Sequence, residues 1–170
     1  HALLSGYWRQ ARAAGARLMT GVDLARLDVG RDRGGWRLAA TGGGTAEESG
    51  ATSTFVFNAV QRKNGDVTGH LVYHVRGWPV TIMMDLDCLI VDGNTAKMSG
   101  VVTQVSEEYP GFIFVGQDAM FMVEDNGQGA NSEPDLFSDL ILETGASCGH
   151  PWLGTAIVPY IPVRGNIQVR

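Results

Sequence analysis

No apolar run in this 170-residue chain approaches the roughly 20 residues that cross a bilayer as a helix, so no helical membrane span is expected. Basic side chains are scarce after residue 40, where six Lys and Arg face fifteen Asp and Glu. With a formal net charge of −5, the chain lacks the basic face that displaces counterions from phosphates, which argues against a general nucleic-acid binder. The pattern G-x-G-x-x-G occurs nowhere, so the backbone cradle that holds a dinucleotide pyrophosphate at a helix N-terminus is missing.

What is present is a soluble globular composition, 44% apolar and 18% charged, with room for one ordinary core or a small domain with an appendage. Twenty-three glycines predict many tight turns between short strands. The chain opens on His1 rather than Met, which reads as a processed, trimmed or partial chain whose targeting segment is out of view. Charge divides the sequence. Residues 1–40 carry seven arginines, no lysine and three aspartates, a net of +4. The remainder carries a net of −9. The change falls at "TGGGTAEESGATS", and a module boundary is expected there, between Thr41 and Ser53.

In the first module, "ALLSGYWRQARAA" predicts a helix over residues 2–14, with Leu3, Leu4, Tyr7, Trp8 and Ala11 on one face and Gly15 as its stop. A short extended segment with Val22 and Leu24 follows, and "RDRGG" predicts a hairpin turn before "WRLAAT". As a whole, "HALLSGYWRQARAAGARLMTGVDLARLDVGRDRGGWRLAATGGG", residues 1–44, resembles a segment of the FAD-dependent amino-acid oxidase and glycine oxidase superfamily. That resemblance implies a backbone near the flavin nucleotide around Val22 and Leu24. Some forty residues cannot supply the several βα units of a dinucleotide fold, so FAD is not expected on this chain alone.

From residue 54 the signals are those of an antiparallel β protein. "TFVFNAVQR" and "VTGHLVYHVR" flank "KNGD", whose Asn64-Gly65 predicts a type I′ hairpin turn. In "VTIMMDLDCLIV", Val80, Ile82, Met84, Leu86, Cys88 and Ile90 recur at period two, predicting one buried strand face. "DGN" marks the next turn before "TAKMSGVVTQV". "GFIFVG", "AMFMVED", "DLFSDLILE" and "VRGNIQV" are further strand candidates. Short connections exclude parallel βαβ units and predict an antiparallel β-barrel or β-sandwich, preceded by the short helix and hairpin. The runs "FVFNAVQRKNGDVTGHLVYH", "VDGNTAKMSGVV", "FMVEDNGQG…DLFSDLIL" and "GNIQVR" resemble, in order and spacing, a group of bacterial β-domains of the post-COAP type. The resemblance covers residues 54–170 and implies an antiparallel β-domain at an extracellular or cell-surface location, with no assigned activity.

Five constellations could carry chemistry. His70 and His74 share a strand face, but four residues separate them by about 13 Å, too far to chelate one zinc ion. Asp85 and Asp87 stand about 7 Å apart on the polar side of the best strand, a spacing compatible with paired carboxylates in glycoside hydrolysis; their setting predicts a solvated outer face. "EDNGQGANSEPD" gathers Glu124, Asp125, Asn126, Asn131, Glu133 and Asp135, oxygen donors suited to calcium, although not at EF-hand spacing. Cys88 and Cys148 either pair, for about 4 kcal/mol in the chain-entropy model, or leave Cys88 a buried free thiol. Cys148 beside His150 lacks an evident third group to orient a thiol–imidazole pair.

The expectation is therefore a non-catalytic, secreted or surface-associated β-domain with a structural, adhesive or ligand-binding role, engaging a surface glycan or a protein. Its alternatives are a fragment or chimera of an FAD-dependent oxidoreductase and a small carbohydrate-active or ligand-carrying barrel. No cofactor is expected except, as a candidate, calcium.

Overall fold

The computed structural model describes residues 31–32, 35–36, 38–48, 51–77, 80–107, 112–128, 131–155 and 158–170. The expected helix over residues 2–14, and Val22 and Leu24, lie outside them. Eleven strands occur in the described residues. β1 (Arg31–Asp32) and β2 (Gly35–Trp36) pair antiparallel, Arg31 opposite Trp36 and Asp32 opposite Gly35, while residues 33–34 of the expected turn lie outside the described residues. The rest are β3 (Leu38–Glu48), β4 (Ala51–Gln61), β5 (Val67–Arg76), β6 (Thr81–Asp92), β7 (Thr95–Val105), β8 (Asp118–Glu124), β9 (Leu136–Phe137), β10 (Ile141–Leu142) and β11 (Ile161–Val169).

These strands build a closed antiparallel eight-stranded barrel, β3 through β9 and then β11, with each stave beside its neighbour in sequence. Closure rests on very few residues. Phe137 pairs with Val123 of β8 on one side and with Ile161 of β11 on the other, and Leu136 does the same with Glu124 and Pro162. β11 then runs back along β3, from Val163 opposite Ala46 to Val169 opposite Ala40. Beyond β9, Ser138 and β10 continue along β8: Ser138 donates its N–H to the Met122 carbonyl, its hydroxyl accepts the Met122 N–H, and Ile141 pairs with Met120. β9 and β10 are thus one stave broken at Ser138–Leu140, where Asp139 takes a φ of 66°.

Alternation explains the long staves. On β4, Phe55, Phe57 and Ala59 point into the barrel while Thr54, Val56 and Asn58 point out. Lys63, Asn64 and Gly65 form a three-residue loop, closed by Arg62 N–H on the Asp66 carbonyl, instead of a type I′ turn. Only Gly65 of the three takes positive φ, because the loop is a tight turn followed by one left-handed residue. The lumen is filled at the level of Phe137, whose ring stacks on Phe55 at 4.1 Å and lies 5.6 Å from Phe121 and 6.1 Å from Tyr73. An eight-stave interior is just wide enough to be packed this way.

Two further expectations are corrected along β3 and β6. The stretch between Thr41 and Ser53, where a module boundary is expected, carries most of β3 and the start of β4: Thr41 pairs with Asn58, and the ladder continues to Glu48 opposite Ala51. Residues 38–44, which the flavoenzyme resemblance includes, therefore belong to an antiparallel barrel stave. On β6 the period-two face holds from Val80 to Leu86 and then breaks. Leu86 opposes Gly100 and Cys88 opposes Ser99, so Asp87 is an extra residue in a bulge. Beyond it Leu89 is buried at 4% exposure and Ile90 lies outside at 43%. The bulge turns Cys88 off the inner face and toward the outer wall.

There Cys88 is joined to Cys148, with a Cα–Cα distance of 6.0 Å, which resolves the cysteine alternatives in favour of the bond. The disulfide staples residues 143–155 across the outside of β7 and β8. Beneath this strap a second small core forms from Met120, Met122 and Leu153, with Ile141, Ala146 and Tyr160 packed against it. Cys148 N–H donates to the Ser99 hydroxyl at 3.0 Å, and Lys97 Nζ donates to the Leu153 carbonyl at 3.1 Å. Burial pushes the Tyr160 hydroxyl above the usual tyrosine value; the Glu124 carboxylate adds to this and a hydrogen bond with Thr95 opposes it.

Candidate functional site

The barrel is packed at its waist but open at one mouth. There the start of β4 supplies Ala51, and the end of β5 supplies Tyr73, Val75 and Arg76. The start of β6 adds Val80 and Ile82, the β7–β8 connection adds Phe112 and Ile113, and the broken stave adds Asp139, Leu140 and Leu142. Together they enclose a cavity of about 380 Å³, within the size range of small-molecule sites. A second cavity of about 110 Å³ shares Ala51, Tyr73, Val75 and Asp139 with it, and adds Ser53 and Ile161.

Local sequence explains the opening. Residues 112–116, expected as a strand in "GFIFVG", form turns with a single bridge residue at Ile113. Ile113 is buried against the core, while Phe112, 59% exposed, forms the apolar lip, and Phe114 and Val115 follow it as exposed apolar residues. The opposite lip is the broken stave. At Asp139 the left-handed backbone interrupts pairing with β8, and an Asp tolerates that conformation better than most residues.

Polar groups in the cavity are few and specific. The Tyr73 hydroxyl, on a side chain only 6% exposed, donates to Asp139 Oδ1, and Leu140 N–H donates to the same oxygen at 2.8 Å. Arg76 is exposed at the rim and has no ion-pair partner among the described residues. Among the described residues, the site is an apolar socket with one hydrogen-bonded carboxylate and one cation outside any ion pair.

The candidates drawn from sequence lie elsewhere. Asp85 and Asp87 are exposed on the outer wall, Asp87 within the bulge, and neither lines the mouth. Asp85 Oδ1 stands 2.9 Å from Nδ1 of His70, its partner across β5 and β6, with both side chains well exposed. His74 is half-buried, its Nδ1 at 3.1 Å from the Val80 carbonyl and 3.2 Å from the Thr81 hydroxyl. His150 packs edge-on against Trp152 at 5.0 Å, and Cys148 is consumed by the disulfide, so no thiol–imidazole pair forms.

The calcium candidates are brought together, but as a clasp on the barrel seam. Asp135, buried, accepts the Ile167 N–H at 2.7 Å and the Asn126 N–H at 2.9 Å, one on each oxygen. Asp125 accepts the Val169 N–H at 3.0 Å and the Gly127 N–H at 2.9 Å, again one on each. Asn126 donates to the Pro134 carbonyl and accepts from Asn94, and Glu124 acts on Tyr160. Below β9, where β11 has no neighbouring strand, these two carboxylates replace the missing ladder partner. Asn131 and Glu133 are exposed in the adjoining loop. Among the described residues, no three His, Cys, Asp or Glu side chains converge as a metal cage.

Sequence reasoning missed Tyr73, Arg76 and Asp139. The one local signal was a polar "SD" interrupting the apolar run in "LFSDLIL", which marks the break in the stave. No protein-family model matches the chain, and neither does any curated protein or solved structure.

Proposed function

We propose that this is a non-catalytic, extracytoplasmic binding domain that takes a small apolar molecule into the barrel mouth. The observation that carries this reading is the cavity of about 380 Å³, walled mainly by aliphatic and aromatic side chains, with the exposed Phe112 in its lining. Burial of apolar ligand surface supplies the affinity, and the Tyr73–Asp139 pair fixes the shape of the socket rather than reacting. The disulfide supports the location, since such bonds persist in oxidising compartments. An acid–base role for Asp85 and Asp87 is disfavoured by their solvated position, because a carboxyl group kept protonated for catalysis needs a desolvated setting.

The test uses N-phenyl-1-naphthylamine, a neutral apolar fluorophore. Saturable binding at one equivalent is expected, weakened at least tenfold by Ala51→Phe, which fills the socket from an exposed backbone position. Absence of saturable fluorescence, or full binding to a folded Ala51→Phe variant, overturns the proposal.

A further inference from the structure

The charges at the mouth specify the ligand further, an inference that rests on the binding role proposed above. Arg76 is one of six basic residues after residue 40, and it is the basic residue in the lining of this cavity. It stands at the rim, exposed, with no ion-pair partner among the described residues. Asp139, the carboxylate in the same lining, already accepts two hydrogen bonds on Oδ1, from the Tyr73 hydroxyl and from Leu140 N–H. An anionic head is repelled by Asp139 and attracted by Arg76, so the two residues orient a ligand with its charge at the rim. The same lining holds Val75, Val80, Ile82, Ile113, Leu140 and Leu142, which suit a hydrocarbon chain and whose side chains offer no hydrogen bond to a polar one. At about 30 Å³ for a water-sized group, the cavity accepts about a dozen such groups.

We infer that the mouth binds a single-chain carboxylate of medium length, its chain in the socket and its carboxylate on the Arg76 guanidinium. The planar fork of Arg matches a carboxylate with two parallel N–H donors, which an ammonium cannot do. The rim position leaves the charge partly in water, avoiding the penalty of a buried ion pair.

Displacement of bound N-phenyl-1-naphthylamine by decanoate, decanol and decyltrimethylammonium tests this directly. Decanoate is expected to compete at concentrations about fivefold or more below the other two. Arg76→Gln is expected to bring decanoate within twofold of decanol, and Arg76→Lys to restore part of the preference. If the fluorophore itself fails to bind, the binding role falls. If it binds but the three head groups compete equally, or Arg76→Gln keeps the decanoate preference, the binding role stands and the carboxylate assignment is overturned. Preference for decyltrimethylammonium overturns it too, and assigns the head group to Asp139.

Discussion

The Tyr73 hydroxyl donates to the Asp139 carboxylate across the barrel lumen, joining β5 to a stave four places away in a ring of eight. Their sequence separation is 66 residues, and no neighbouring strand mediates the contact. It ties down the stave break that shapes the mouth.

Tyr73→Phe is therefore expected to destabilise the fold by about 1–3 kcal/mol, because it strands a half-buried carboxylate oxygen without one of its donors. Asp139→Ala should cost a similar amount, and the double variant less than the sum. Urea unfolding of the four proteins measures that coupling; simple additivity would mean the hydrogen bond carries no energy.

Asp135 supports a second prediction. Replacing it with Ala leaves the Ile167 and Asn126 N–H groups without acceptors, Ile167 lying fully buried at the seam. A loss of about 2–4 kcal/mol is expected, against less for Asp125→Ala, whose partners are more exposed. Because all four oxygens of these carboxylates already accept N–H bonds, millimolar calcium should move the melting temperature little, and EDTA should not lower it. A calcium-dependent rise of several degrees would show that these oxygens serve a cation instead.

The staple makes a third. Exchanging Cys88 and Cys148 for Ala together is expected to cost about 4 kcal/mol by the loop-closure estimate for a 60-residue separation. The loss should concentrate in the strap, with faster hydrogen exchange at residues 143–155 than in β4 and β5. Equal exchange throughout would mean that strap and barrel open as one unit.

How much of this was visible beforehand depends on how local the determinants were. β4, β5, β6 and β7 were legible because alternating side chains and turn residues specify them within ten or twelve residues. β3 was not. Its "TGGG" has the composition of a linker, yet a Cβ on Gly44 would lie 2.6 Å from Val163 Cγ1 and 2.7 Å from the Arg164 carbonyl. Glycine is required there by close packing against β11, more than a hundred residues away. The face switch at Cys88 escaped for a related reason: a one-residue bulge reverses every later side chain without altering the apolar pattern. The candidate mouth was least legible, since Tyr73, Arg76 and Asp139 meet only when the ring closes.

A fourth prediction concerns alkaline pH. Tyr160 titrates above the usual tyrosine value in the folded protein, so the folded state holds its proton where the unfolded chain has released it. Its contribution is fully present below the ordinary tyrosine pKa and is lost as pH rises through the folded value. Stability should therefore fall as pH rises above about 10, and less steeply in Tyr160→Phe. Tyrosinate absorbance with and without that substitution checks the assignment; identical titration curves would refute it.

The two-residue stave at Leu136–Phe137 has a consequence for biogenesis. β11 follows every other stave in the chain, so during synthesis the hydrogen-bonding edge of β3 stays uncovered while seven staves are already made. An uncovered edge of eleven residues invites pairing with another nascent chain. Deleting Ile161–Val169 would leave that edge permanently open to pairing with other chains, a route to aggregation.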